Sequence, residues 1–143
     1  DEGGRLAVVC LGEALDAPTS ASLRIGLEAL SRPELRIEVH EEDEHPRRDR
    51  AGRRRSAQAV VVSAADVDAG ARSYLEGVAQ ALPVIVLGRV AHELPPGVVP
   101  VGERDEIDRC IACIRTWALA WAEGNAAEVD AEARRRWIAQ RVA

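Results

Sequence analysis

The fold is decided by residues Gln58–Gly88, which read QAVVVSAADVDAGARSYLEGVAQALPVIVLG. The stretch opens with one apolar run, Ala59–Val62, and closes with another, Val84–Leu87. Both are rich in β-branched residues and too short for helices. Uninterrupted runs of this kind fit strands buried on both faces, as in a parallel sheet covered by helices. Between them Val67, Ala71, Tyr74, Leu75, Val78 and Leu82 recur at helical spacing, which predicts one helix. Asp66 or Asp68 is expected to cap its start, and Pro83 to end it. The segment reads as a βαβ unit with a right-handed crossover. In open α/β sheets, ligands bind outside the carboxyl ends of the strands. Ser63–Asp68 and Gly88–His92 hold those places.

On the amino-terminal side, Arg5–Leu11 (RLAVVCL) is a further buried strand. Gly12–Ala17 is a loop carrying Glu13 and Asp16. Pro18 or Thr19 begins a helix with Leu23, Ile25, Leu27 and Leu30 on its apolar face, and Pro33 stops it. Leu35–Val39 alternates apolar and charged residues, which marks a strand at a sheet edge with one solvated face. His40–Ser56 (HEEDEHPRRDRAGRRRS) holds an acidic block followed by a basic one and reads as a surface loop.

On the carboxyl-terminal side, Val98–Val101 is a short fifth strand. From about Arg104 the chain is helical, with Ile107, Cys110 or Ile111, Ile114, Trp117 or Ala118, and Trp121 in an apolar stripe. Gly124–Asn125 is a stop signal, and a final helix over roughly Ala126–Val142 carries Val129, Ala133, Trp137 and Ile138. The alternation predicts a flavodoxin-like, doubly wound parallel sheet of five strands in the order 2-1-3-4-5, with an extra helix at the end. Residues 5–123 are expected to form the α/β domain and 124–143 a helical extension for dimerisation or linkage.

The chain has 143 residues, 47% of them apolar, enough for one domain with a sizeable core. No apolar run approaches the roughly 20 residues that span a bilayer, and no signal-peptide pattern opens the chain. It begins Asp-Glu-Gly-Gly without Met, which suggests an excised or processed domain. The net charge of −5 argues against a general nucleic-acid binder. The 19 cations are all Arg, and Lys, Phe and Met are absent. Three Cys form no disulfide framework, which fits a reducing cytoplasm.

The segments SLRIGLEALSRPELRIEV (Ser22–Val39), AQAVVVSAADVDAG (Ala57–Gly70) and LPVIVLG (Leu82–Gly88) resemble a response-regulator receiver domain, nearest to those of LuxR-type regulators. The resemblance spans about Arg5 to Trp117. It implies a phosphoacceptor Asp at the end of the third strand, where Ser63 stands. It implies a paired acidic motif after the first strand, where only Glu13 and Asp16 follow on a longer loop. The Ser or Thr after the fourth strand is Gly88, and the Lys ending the fifth is Val101 or Gly102. Phosphoryl transfer needs carboxylate-held Mg²⁺ and cations that neutralise developing charge. The resemblance with these departures implies a pseudo-receiver that is not phosphorylated in the usual manner. Val9–Pro18 (VCLGEALDAP) also resembles the phosphate loop of low-molecular-weight tyrosine phosphatases, with Cys10 at the nucleophile position. That loop requires an Arg six residues on, where Asp16 stands and would repel an anion.

Other candidates carry two readings each. Ser63 with Asp66 and Asp68 is either a reactive cluster, or a Ser that fills a pocket beside Asp residues that cap the next helix. Glu13, Asp16 and Asp66 either hold a divalent cation or line a solvated loop. Cys110 and Cys113 form a C-x-x-C, but on an apolar helical stripe, without a second pair, they read as core. His40, His45 and His92 are scattered. Arg47–Arg55 lacks interleaved aromatics for base stacking and reads as a solvated loop. Trp117, Trp121, Trp137 and Ile138 either make an interface or fold the last helix onto its own domain.

The expectation is a non-enzymatic, cytoplasmic signalling module that works by protein contact, as a homodimer or on a partner domain. It needs no cofactor or metal, meets no membrane, and reaches nucleic acid only through a separate domain. The alternative is a small enzyme or ligand-binding protein that uses the strand-end cleft, such as a degenerate low-molecular-weight phosphatase.

Overall fold

A computed structural model describes residues 4–41, 57–91, 93–127 and 129–142. Along the chain run β1 (Arg5–Leu11), α1 (Ala17–Glu28), β2 (Leu35–Glu41), β3 (Ala59–Ser63), α2 (Ala64–Ala69), α3 (Arg72–Ala79), β4 (Val84–Leu87), β5 (Val98–Gly102), α4 (Glu106–Ala122) and α5 (Ala131–Val142). The five strands form one sheet in the order β2-β1-β3-β4-β5. Every pairing is parallel. This is the flavodoxin-like α/β architecture expected from the alternation of runs. Most of the expected loop His40–Ser56 lies outside the described residues, including His45 and Arg47–Arg55, and so does His92.

The pleat divides the core in two. Ala7, Val9, Leu11, Leu35, Ile37, Val39, Val61 and Ile85 face α1 and α4. Val60, Val62, Val84, Val86 and Val98 face the other way, onto α2, α3 and Ile138 of α5. Because both faces are covered, β3 and β4 are apolar at successive positions. β2 is an edge strand, as its alternation implied, but its polar face is not all solvated. Glu38 is only 7% exposed. It lies 2.9 Å from Arg36 and 3.1 Å from His40, and those partners let it be covered.

Three local expectations are corrected. The helix of the central unit is two helices. Gly70 takes a left-handed conformation (φ 64°) that caps α2, and the chain restarts at Arg72. Leu75, read from the spacing as buried, is consequently exposed. On α1, Ile25 is 73% exposed, because Gly26 sits beside it against Ile111 and brings α1 onto α4 there. The last helix begins at Ala131, where the Asp130 carboxyl accepts from the Ala133 N–H at 2.9 Å.

Helix α5 folds back onto its own domain, and one residue anchors it. Arg134 is 1% exposed, and among the described residues it pairs with no carboxylate. Its Nη1 donates to Leu82 O at 2.6 Å and Gly77 O at 3.2 Å, and its Nε donates to Pro96 O at 2.8 Å. Gly77 lies in the last turn of α3, where the carbonyl end of the helix dipole favours a cation. Gly97 leaves room for the guanidinium, since a Cβ there would lie 2.6 Å from Nη2. Nη2 has no hydrogen-bond partner. Burial draws the guanidinium below its usual range, and neighbouring Tyr74 opposes that shift. At the exposed end, Arg141 pairs with Glu93 at 2.6 Å and lies 4.3 Å over the Trp137 ring. Trp121 is 4% exposed within the α4-side core, and Trp117, half-buried, lies 6.4 Å from it.

Removing the Arg134 side chain strands buried carbonyls and opens a void. Arg134→Ala is expected to lower stability by about 2–4 kcal/mol in urea unfolding followed by tryptophan fluorescence. Exposed Arg135→Ala is expected to stay within about 0.5 kcal/mol. Equal effects of the two would contradict the anchoring role.

Candidate functional site

The order of the sheet reverses between β1 and β3, and a doubly wound fold leaves its crevice at that point. Here the crevice is filled from inside the protein. Ser63 ends β3 and caps α2, while Asp66, at the third helical position, turns its side chain back toward the strand ends. Asp66 is 1% exposed. Its Oδ1 accepts from the Ala14 N–H at 3.0 Å, in the loop after β1. Its Oδ2 accepts from the Ser63 N–H at 3.0 Å and from Ser63 Oγ at 3.3 Å. Ser63 Oγ in turn accepts from the Asp66 N–H at 3.2 Å, completing a capping box.

The space this carboxyl group takes explains Gly12. Gly12 continues the β1 ladder by donating to Val61 O at 2.8 Å. A Cβ on Gly12 would collide with Asp66 Oδ2 and lie 3.0 Å from Val62 Cγ1. Gly12 and Asp66 therefore share one volume, which only a residue without a side chain on β1's exit permits.

The remaining acidic candidates do not converge on Asp66. Asp16 is exposed and caps α1, its Oδ1 accepting from the Thr19 N–H at 2.8 Å. Those Thr19 hydrogen bonds hold its carboxyl below the usual range. Glu13 and Asp68 are exposed. Among the described residues, no group of three His, Cys, Asp or Glu side chains is arranged to hold a metal ion. Cys10 lies on the face of β1 opposite Val9 and Leu11, beside Val60 of β3 in the register. Asp16, at the place where such a phosphate loop carries its Arg, is used as the cap of α1.

On the β4–β5 side, Gly88 donates to Gly102 O at 2.9 Å. Both glycines have positive φ, 96° and 76°. A Ser or Thr at Gly88 would be strained there. Val101 points into the core, and its carbonyl accepts from Arg109 Nη1 at 3.2 Å. Arg109 thus supplies a cation near the end of β5, a residue the sequence reading did not single out. A cleft of about 500 Å³ lies beyond, lined by Gly88, Arg89, Leu94, Pro100 and Glu103 among others.

The C-x-x-C reads as core. Cys110 is fully buried, and its thiol is pushed up to about 12 by burial, reinforced by Cys113. Burial also raises the Cys113 thiol. Thiols so disfavoured as thiolates are poor nucleophiles and poor metal ligands.

Two outcomes are expected. Gly12→Ala costs roughly 2 kcal/mol or more in the wild-type background and clearly less in Asp66→Ala, because the two substitutions compete for one space. Additive effects in a urea double-mutant cycle would contradict this. For Cys110, the folded-state pKa lies above the unfolded value, so burial favours the neutral thiol. Its contribution is full below the ordinary thiol pKa of about 8.5 and falls as pH climbs from there toward 12. Dithionitrobenzoate at pH 8 should leave Cys110 unmodified until the protein unfolds; prompt reaction in the native state would contradict its placement.

No protein-family model matches this chain, and neither a curated protein nor a solved structure shows significant similarity to it.

Proposed function

We propose that this protein is a regulatory module of the pseudo-receiver kind, which signals through protein contact and without phosphorylation. The observation that carries the reading is the Asp66 carboxyl group at the switch point, hydrogen-bonded to the loop after β1 and to the β3–α2 turn. A receiver presents an open acidic pocket to Mg²⁺ and a phosphoryl donor at these strand ends. Here the buried Asp66 carboxyl has its oxygens occupied by protein donors, and the flanking positions are Ser63, Gly88 and Val101. No reaction chemistry is assigned to the site.

What then remains of the scaffold is its surface and its terminal helix. α5 is joined to the domain through Arg134 and Ile138, so a partner or a second copy that engages α5 acts on the core behind it. The proposed partners are a homodimer or an effector domain in the cytoplasm. Among the described residues no helix is long and apolar enough to cross a membrane.

Incubation with acetyl phosphate or beryllofluoride and Mg²⁺, read by intact mass and by amide NMR, tests the proposal. Wild-type protein and Ser63→Asp are both expected to remain unmodified and to show no Mg²⁺-dependent shifts at Gly12, Ala14 or Ser63. A stoichiometric phosphoryl adduct on the wild type, or a saturable shift at those amides, would overturn it.

A further inference from the structure

The opposite end of the sheet holds a cleft of about 530 Å³, beneath the amino ends of β1 and β4. Leu6, Leu82, Pro83 and Trp121 form its apolar walls, and among the described residues Arg5 is the one charged side chain that lines it. Its volume falls within the range of small-molecule sites.

Arg5 and Gln58 turn hydrogen-bond donors toward this cleft, and the Asn125 side-chain amide lines it as well. Arg5 offers only N–H groups, and among the described residues no carboxylate lies within ion-pairing distance of it. Its guanidinium lies against Gly124, where a Cβ would fall 2.8 Å from Cζ. The left-handed Gly124 (φ 86°) therefore leaves the space that the cation uses. Gln58 has its acceptor spent, because Oε1 accepts from the Val8 N–H at 2.7 Å while the Gln58 backbone N–H donates to Val8 O at 2.8 Å. Among the described residues the side-chain N–H₂ of Gln58 has no hydrogen-bond partner. Ala81, a non-glycine residue at φ 59°, forms part of the same wall in a strained conformation.

We propose that this cleft binds a small organic acid. One carboxylate lies on Arg5 and the Gln58 side-chain amide, and an apolar or aromatic body lies against Leu82, Pro83 and Trp121. A guanidinium matches a carboxylate bidentately, and Arg5 is the charged group among the described lining residues, so the cleft favours an anion. Residues 124–127, which lead from α4 toward α5, line the same cleft. The occupant thus touches the segment from which the terminal helix hangs. The inference stands on the cleft alone and survives whatever acetyl phosphate does at the other end of the sheet.

Phenylacetate, indole-3-acetate and hexanoate are the probes, titrated into the full chain and followed by amide NMR and calorimetry. Phenylacetamide and inorganic phosphate serve as the uncharged and the body-less controls. At least one acid is expected to saturate in the micromolar to low-millimolar range, with shifts centred on Arg5, Gln58 and Asn125. Arg5→Gln should weaken it by at least ~10-fold, and Ala126→Trp, which fills the cleft without touching the cation, should abolish it. Exposed Arg104→Gln should leave it unchanged. The proposal is overturned if no acid saturates, if phenylacetamide or phosphate binds as well as the acids, or if Arg5→Gln leaves the affinity intact.

Discussion

The structure depends on where the Asp66 carboxyl group lies. A doubly wound sheet leaves a gap where its strand order reverses, and that gap must hold either a ligand or the protein itself. Here Asp66 enters it from the first turn of α2 and accepts hydrogen bonds from Ala14 on one side and Ser63 on the other. A buried polar group is tolerable only when its partners are present, and these partners are backbone N–H groups that the loop after β1 and the β3–α2 turn must hold in place. The same arrangement requires Gly12 at the exit of β1. Two chain segments on either side of the switch point are thereby fixed to each other. The acidic side chain that is buried among the strand ends serves cohesion, and the exposed Glu13, Asp16 and Asp68 lie elsewhere.

A second buried polar group fixes the periphery. Arg134 carries a charge into the domain, and among the described residues carbonyls alone receive it. A lone buried cation is costly, and the carbonyl end of α3 offsets part of that cost. The apolar contribution of α5 is small, with Ile138 its member of the sheet-facing cluster. The attachment of this helix is therefore specific in position and dependent on one side chain. That combination distinguishes α5 from α1 and α4, which are held by a continuous apolar face.

The strands were legible in the sequence because a strand buried on both faces must be apolar at every position, and Ala59–Val62 and Val84–Leu87 are. The edge position of β2 was legible from its alternation. The break at Gly70 was not drawn from the spacing, because Val67, Ala71 and Tyr74 keep helical spacing across it while the glycine takes the left-handed turn. Ser63-Ala64-Ala65-Asp66 carries the spacing of a capping box, a signal that was present and points to Ser63 as the cap and Asp66 as its reciprocal partner. Arg134 had no such signal. It stands in a run of three arginines, and only the packing of α5 on Gly97 and Leu82 selects it for burial. Arg5 and Gln58 were equally silent, since a cleft at the amino ends of the strands is assembled from segments far apart in the chain.

Amide hydrogen exchange at Ala14 and Ser63 tests the central claim most directly. Ala14 lies in the loop after β1 and Ser63 ends β3, and both N–H groups donate to one buried carboxyl group. They should exchange nearly as slowly as the core amides of β1 and β3, and both should lose protection together in Asp66→Ala. Exchange at the rate of an open loop in the wild-type protein, or protection that survives the loss of Asp66, would contradict the account.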